Sequence, residues 1–471
     1  MNYEARVVAA VRREFSDWRR WLARAVVIAV AAVSGLTVVG FTWLTERAIQ
    51  TFFSIQSGWW WSPLLMTPAC TGAVVWITRQ YVPGAAGSGI PQVMAALDPS
   101  VGAADRGLFV SIKLTLAKIA LTSWGLLAGL SIGREGPCVQ IAAGIMHGAK
   151  RWLPKRSAVT EHGLLVAGGA AGIAAAFNTP LAGVMFAIEE LSRTPEQRNS
   201  GLIISAIVLA GLVAVSIYGN ATYFGVIHVA AIDFSLLGPG LLTAVLSGMA
   251  GGLFARLLIV SLGGQSRDAF TRWRNKQPVK FAIACGLGVA LIGVTMHGAT
   301  FGSGYAYTKA MLEGAENTPL LYVLFKLIAT WLSTWSGVPA GLFAPSLAIG
   351  AGLGSDVAVI TQYPHAATLI ALGMAGFLAA VTQAPLTAFI IVMEMVDGHA
   401  MVLSLMACAL IASAVSRLLS RPLYATLAEM QLLRIPRAEV QALEQATDHV
   451  SSEEKESHEG APRNVASVDH P

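Results

Sequence analysis

Between residues 25 and 418 this chain hardly leaves apolar sequence. Apolar segments cover 25–44, 63–78, 108–132, 163–191, 201–218, 235–262, 280–297, 319–338, 366–393 and 400–418. A helix needs about 20 apolar residues to cross the hydrocarbon core of a bilayer, and several of these segments have that length. Charged residues make up 13% of the chain and mean hydropathy is +0.61, whereas an ordinary soluble domain is about 25% charged. That is too little polar surface to cover a water-soluble globule of this size. The sequence therefore predicts an all-α polytopic membrane protein. A disordered, collagen-like or nucleic-acid-binding protein is excluded. The net charge of +5 sits in short loops and at the N-terminus, where the positive-inside rule accounts for it.

Residues 1–24 are amphipathic and basic, with Arg6, Arg12, Arg13, Arg19, Arg20 and Arg24 set against Glu4, Glu14 and Asp17. No apolar core with a small-residue cleavage site follows, so the segment reads as a cytoplasmic interfacial helix and not as a signal peptide. Two transmembrane halves are expected over 25–230 and 231–438, and a disordered polar tail over 439–471.

The division into halves rests on an internal repeat. Gly87-Ser88-Gly89 recurs as Gly302-Ser303-Gly304. Lys118 and Thr122 recur as Lys326 and Thr330. Gly133-Arg134-Glu135-Gly136-Pro137 recurs in outline as Gly341-Leu342-Phe343-Ala344-Pro345. Pro180-Leu181 followed by Glu189 recurs as Pro385-Leu386 followed by Glu394. The offsets are 215, 208, 208 and 205, nearly constant and in the same order. A membrane protein built of two such halves reads as a transporter, with its site where the halves meet. The spacing alone does not say whether the halves are inverted.

Three Gly/Pro turns stand inside apolar surroundings: Gly87-Ser88-Gly89-Ile90-Pro91, Gly133-Arg134-Glu135-Gly136-Pro137 and Gly341-Leu342-Phe343-Ala344-Pro345. Segments 139–149 and 346–360 that follow two of them look too short to span, and suggest helices that begin inside the membrane. Proline suits the first turn of a helix, and the N–H groups there lack intrahelical acceptors. Such backbone survives at membrane depth only where it is buried in protein or lines a cavity. Several helix starts together would hold an anion on main-chain N–H groups. Any one of these turns could be a packing kink; the repetition argues otherwise. Glu135, an acid in a glycine-bounded turn, is a functional candidate by position.

These motifs resemble those of the CLC family of chloride channels and chloride/proton antiporters, over about residues 25–430. The resemblance implies two inverted repeats of tilted, discontinuous helices, a homodimer, and an anion pathway in each subunit. It implies that Ser88, Tyr424 and the amides of Leu342 and Phe343 hold chloride, and that Glu135 is the gating and proton-transfer glutamate. Glu190 would be the inner proton-transfer glutamate; taken alone it is an ordinary acid ending an apolar run. Chloride/proton exchange in a bacterial inner membrane is the expected activity, and a passive chloride channel is the alternative. The chain departs from the family pattern at Gln92 and Met94, where acids are usual, so the partner of Lys118 is open. Ser88 speaks against the nitrate-preferring variant, and Ser88 with Tyr424 against the fluoride-exporting branch. No cofactor beyond the transported chloride is expected. No metal site is expected either, because His147, His162, His228, His297, His365 and His399 lack ligand spacing. No nucleophile–base pair accompanies Glu135, so an enzyme is not expected.

Overall fold

The computed structural model describes residues 18–154, 157, 159–192, 200–219, 222–225, 234–264, 268–314, 319 and 321–433. Residues 1–17, the 230/231 boundary between the expected halves and the tail 439–471 lie outside this set. Among the described residues the regular secondary structure is helical, with two isolated bridges in place of any sheet. In chain order the first half holds α1 Trp18–Gly58, α2 Ser62–Tyr81, α3 Ile90–Leu97, α4 Ile112–Leu127, α5 Glu135–Gly148, α6 Glu161–Phe177, α7 Pro180–Phe186 and α8 Ser200–Tyr218. The second holds α9 Leu237–Gly263, α10 Ala269–Lys276, α11 Pro278–Thr295, α12 Tyr305–Leu312, α13 Tyr322–Trp335, α14 Phe343–Thr361, α15 Ala366–Thr382, α16 Pro385–Met395, α17 Val402–Arg417 and α18 Leu423–Leu432. Seven helical segments among the described residues are long and apolar enough to cross a membrane. The protein is a multi-pass membrane protein.

Several element boundaries differ from those expected. Helix α1 is continuous through residues 24 and 25, because nothing between Trp18 and Gly58 breaks it. The apolar segment 163–191 is two pieces. Asn178 takes a left-handed conformation, φ 59°, and Pro180 opens a new helix. Segment 366–393 breaks the same way, at Gln383, φ 60°, ahead of Pro385. In both cases proline disfavours helical backbone at the residue before it, which hydropathy alone does not register. The short helix after Glu135 is real, at 14 residues. The one after Leu342 extends to 19 residues and is long enough to span.

The halves repeat their packing. Helix α6 lies against α5, where a side chain at Gly168 or Gly172 would strike the backbone of Ala142, Ala143 or Cys138. Helix α15 lies against α14 in the same manner, with Gly350 and Gly354 facing Gly373, Leu369 and Ile370. Small residues let helix backbones touch, and dispersion and close packing then hold them where no hydrophobic drive exists between helices in lipid. Helices α6 and α15 are buried along almost their whole length and form the middle of the bundle.

Candidate anion site

The three Gly/Pro turns meet in this buried middle and are tied by main-chain hydrogen bonds. Gly133 N donates to Gly341 O at 2.8 Å, and Gly341 N to Gly133 O at 2.9 Å. Gly87 N donates to Val338 O at 3.2 Å, and Ala340 N to Gly87 O at 3.1 Å. Irregular backbone at this depth has no water to satisfy it, and these bridges supply partners across the two halves. Glycine is required by contact. A Cβ on Gly341 would stand 2.8 Å from Gly133 O and 3.1 Å from Gly136 N. Gly89 combines φ +106° with a would-be Cβ 2.6 Å from Gly136 O.

The lysines of the repeat hold two of its turns from the carbonyl side. Lys118 Nζ donates to Ala85 O at 2.8 Å and Gly87 O at 2.7 Å. Lys326 Nζ donates to Thr300 O at 3.0 Å and Gly302 O at 2.8 Å. Carbonyl oxygens thus occupy the place of the acid missing beside Lys118. Gln92 bonds within the same turn, accepting from Gly89 N at 2.9 Å and donating to Ala86 O. Met94 is partly buried and packs on the core.

Glu135, Ser88, Phe343 and Tyr424 lie near one another in the buried middle. Glu135 is fully buried at the first position of α5. Its Oε2 accepts from Ala344 N at 3.4 Å, so this carboxylate reaches the N-terminus of α14, where Leu342 and Phe343 present their own N–H groups. Oε1 of Glu135, the Ser88 hydroxyl and the Tyr424 hydroxyl are buried and have no hydrogen-bond partner of ordinary geometry. Two hydroxyls and a carboxylate oxygen are gathered beside the start of α14, and the hydroxyls with that helix start make a set of groups able to hold a small anion. Ser88 lies against Gly136, and its hydroxyl is beside the Tyr424 phenol. Tyr424 is carried by α18, which packs on α3, and its ring stands edge-on to Phe343 with centroids 5.9 Å apart. Phe177 and Phe186 close the other sides of Phe343, at 6.4 and 6.2 Å. Of the supporting positions, Gly87, Ile90, Pro91, Gly133, Gly136, Pro137, Gly341 and Pro345 belong to the turns and helix starts described above, and Gly89 caps the start of α3.

Glu190 sits in a π turn, Ala187–Leu191, that continues α7. Tyr424 stands within electrostatic range of both Glu190 and Glu135. Its neighbour Glu189 caps α16 instead, accepting from Leu386 N at 3.1 Å and Thr387 N at 2.7 Å.

Beyond Arg134 a cavity of about 180 Å³ opens, lined by Thr42, Glu46, Arg134, Tyr218, Tyr223 and Tyr305 among others. Arg134 Nη1 pairs with Glu46 Oε1 at 3.0 Å. Sequence reading passed over Glu46, although an acid in a long apolar helix is itself a signal. Among the described residues no group of acids, histidines and cysteines is placed to hold a metal ion.

Comparison with known proteins agrees with this architecture. A cyanobacterial Cl⁻/H⁺ antiporter described as slow shares the fold with a TM-score of 0.75 and 24% identity, over 88% of this chain and 99% of its own. A eukaryotic CLC transporter does so at 0.69 and 22%, over 86% and 74%. The H(+)/Cl(-) exchange transporter ClcA of Klebsiella pneumoniae subsp. pneumoniae is 29% identical over 429 residues, 86% of this chain and 88% of that protein. ClcA of Salmonella typhi is 28% identical over 84% of this chain and 86% of its own length. The family model described as voltage gated chloride channel matches residues 70–417, more than half of the chain, and the chain belongs to that family.

Proposed function

We propose that the protein is a secondary transporter that exchanges chloride for protons. The observation that carries this reading is the set of orphaned buried groups. Ser88 Oγ and Tyr424 OH can donate to a small anion, and the start of α14 adds main-chain donors and the positive end of a helix dipole. Relatives over most of the chain's length carry the name H(+)/Cl(-) exchange transporter.

In this mechanism the Glu135 carboxylate and chloride compete for the same donors. The ionised carboxylate lies at the α14 N-terminus and closes the pathway. Protonation removes its charge, weakens its hold on Ala344 N, and lets it withdraw while chloride takes the donors. Return of the carboxylate releases chloride and delivers the proton. Glu190, within electrostatic range of Tyr424, passes protons between the site and the cytoplasm. No covalent step occurs, so the protein is a transporter and not an enzyme.

The basic start of α1 and the basic segment 269–276 belong on the cytoplasmic side of an inner membrane by the positive-inside rule. The working unit is a homodimer, as the family resemblance implies.

The test uses purified protein in liposomes with more chloride inside than outside, no pH gradient, and voltage clamped by valinomycin and potassium. Uphill proton uptake driven by chloride efflux is expected. The family description, voltage gated chloride channel, favours one competing reading, a passive pathway. Chloride flux with no proton uptake would establish that instead.

A further inference from the structure

The vestibule outside the gate holds a second carboxylate whose surroundings have a purpose. Arg134 cannot lose its charge, and its side chain is only 11% exposed. Its contact with Glu46 is the short one, 3.0 Å. Its others, to Thr42 O, Thr45 Oγ1 and Tyr223 OH, are all 3.4 Å. The guanidinium also stands 6.0 Å from the Tyr223 ring centre. Glu46 is the opposite case, with a side chain 45% exposed. Leaving Arg134 costs Glu46 little, because water takes over its solvation, and half-exposed ion pairs are weak in any event. Arg134 by contrast needs an anion at all times. The cavity beside the pair has room for one. Arg134 is also the cation whose field reaches Glu135.

We propose that Glu46 is an outer competitor for the transported anion: chloride in the vestibule displaces the Glu46 carboxylate from Arg134 before it meets Glu135. This rests on the anion-transport reading above. Glu46 acts through Arg134 and is a positioning residue. Helix α1 fixes the side of the membrane. Glu46 lies 28 residues beyond Trp18, about 40 Å along a helix axis from the basic end, so the vestibule faces outward.

The test compares wild type, Glu46→Gln, Glu46→Ala and Glu46→Asp by radioactive chloride uptake in right-side-out and inside-out vesicles. Removing the competing charge is expected to lower half-saturating chloride threefold or more at the outer face, with no change at the inner face. Glu46→Asp keeps the carboxylate and is expected to stay within twofold of wild type. An unchanged or raised outer half-saturation in both neutral variants overturns the proposal. So does loss of folded protein in both, which would make Glu46 a packing residue, while a folding defect in one leaves the other to decide. Absence of chloride uptake by wild type would instead overturn the transport reading itself.

Discussion

Glu189 and Glu394 each cap the helix that carries the other. Glu189, at the end of α7, accepts from Leu386 N and Thr387 N at the start of α16. Glu394, at the end of α16, accepts from Leu181 N at 3.2 Å and Ala182 N at 2.8 Å, at the start of α7. Each helix end meeting the other's beginning requires the two to run antiparallel. Because they are equivalent members of the two repeats, a two-fold relation between the halves inverts one against the other.

Removing either cap strands the N–H groups of a helix start in a low-dielectric setting. Glu189→Ala and Glu394→Ala are each expected to lower stability by about 2 kcal/mol, the range for hydrogen bonds to a charged group. The double variant should lose less than the sum, since one helix pair is disrupted in both. Thermal unfolding of the detergent-solubilised protein measures this. Additive losses would show the caps to be independent.

Glu135→Gln removes the charge and keeps a side chain able to accept from Ala344 N. Proton coupling is expected to vanish while chloride flux persists, because the amide imitates the protonated gate. Glu190→Gln should likewise stop proton movement and leave chloride flux, by breaking the route beyond Tyr424 instead of the gate. Flux of both ions in liposomes decides each. Normal proton pumping by Glu190→Gln would remove that residue from the pathway.

The parts of this architecture most legible in sequence were those with short-range signatures. Gly/Pro turns mark helix starts locally, and the repeat of Lys118 at Lys326 is visible as spacing. What sequence could not supply were pairings between distant segments. Gly133 and Gly341 are matched by the repeat, but that they bond to each other is not written in it, and Glu46 and Arg134 share no motif at all. The breaks at Asn178 and Gln383 were hidden because alanine-rich flanks keep hydropathy high across them. Glu189 is legible as the repeat partner of Glu394, but that each caps the other's helix is a contact between distant segments.

Lys118 and Lys326 make matching bonds but hold unequal cargo. Lys118 fixes the turn that bears Ser88; Lys326 fixes the turn before α12. Lys118→Met takes the lysine donor from Ala85 O and Gly87 O, of which Gly87 O keeps Ala340 N, and Lys326→Met takes it from Thr300 O and Gly302 O; each is expected to lose on the order of 2 kcal/mol. Chloride affinity is expected to fall only in Lys118→Met, because only that turn presents a hydroxyl to the site. Calorimetric titration with chloride, beside thermal unfolding of both variants, separates the effects. An equal fall in affinity for both would mean the lysines act through general packing.

Tyr424 combines a ring and a hydroxyl with separable roles. The ring packs edge-on against Phe343 at 5.9 Å, and the side chain is 1% exposed. The hydroxyl is buried beside Ser88, and in the proposed function it donates to chloride. Tyr424→Phe keeps the ring and removes one donor, worth about 1 kcal/mol, which corresponds to a roughly five- to tenfold weaker chloride affinity. Thermal stability should hold or rise slightly, since an orphaned polar atom disappears. Tyr424→Ala also empties the space beside Phe343. Protons and chloride then lose their fixed ratio, because the anion is no longer confined between Ser88 and the α14 amides. Calorimetry on the first variant and the ion-flux ratio of the second test these claims, and unchanged affinity in Tyr424→Phe would take the phenol out of the anion site.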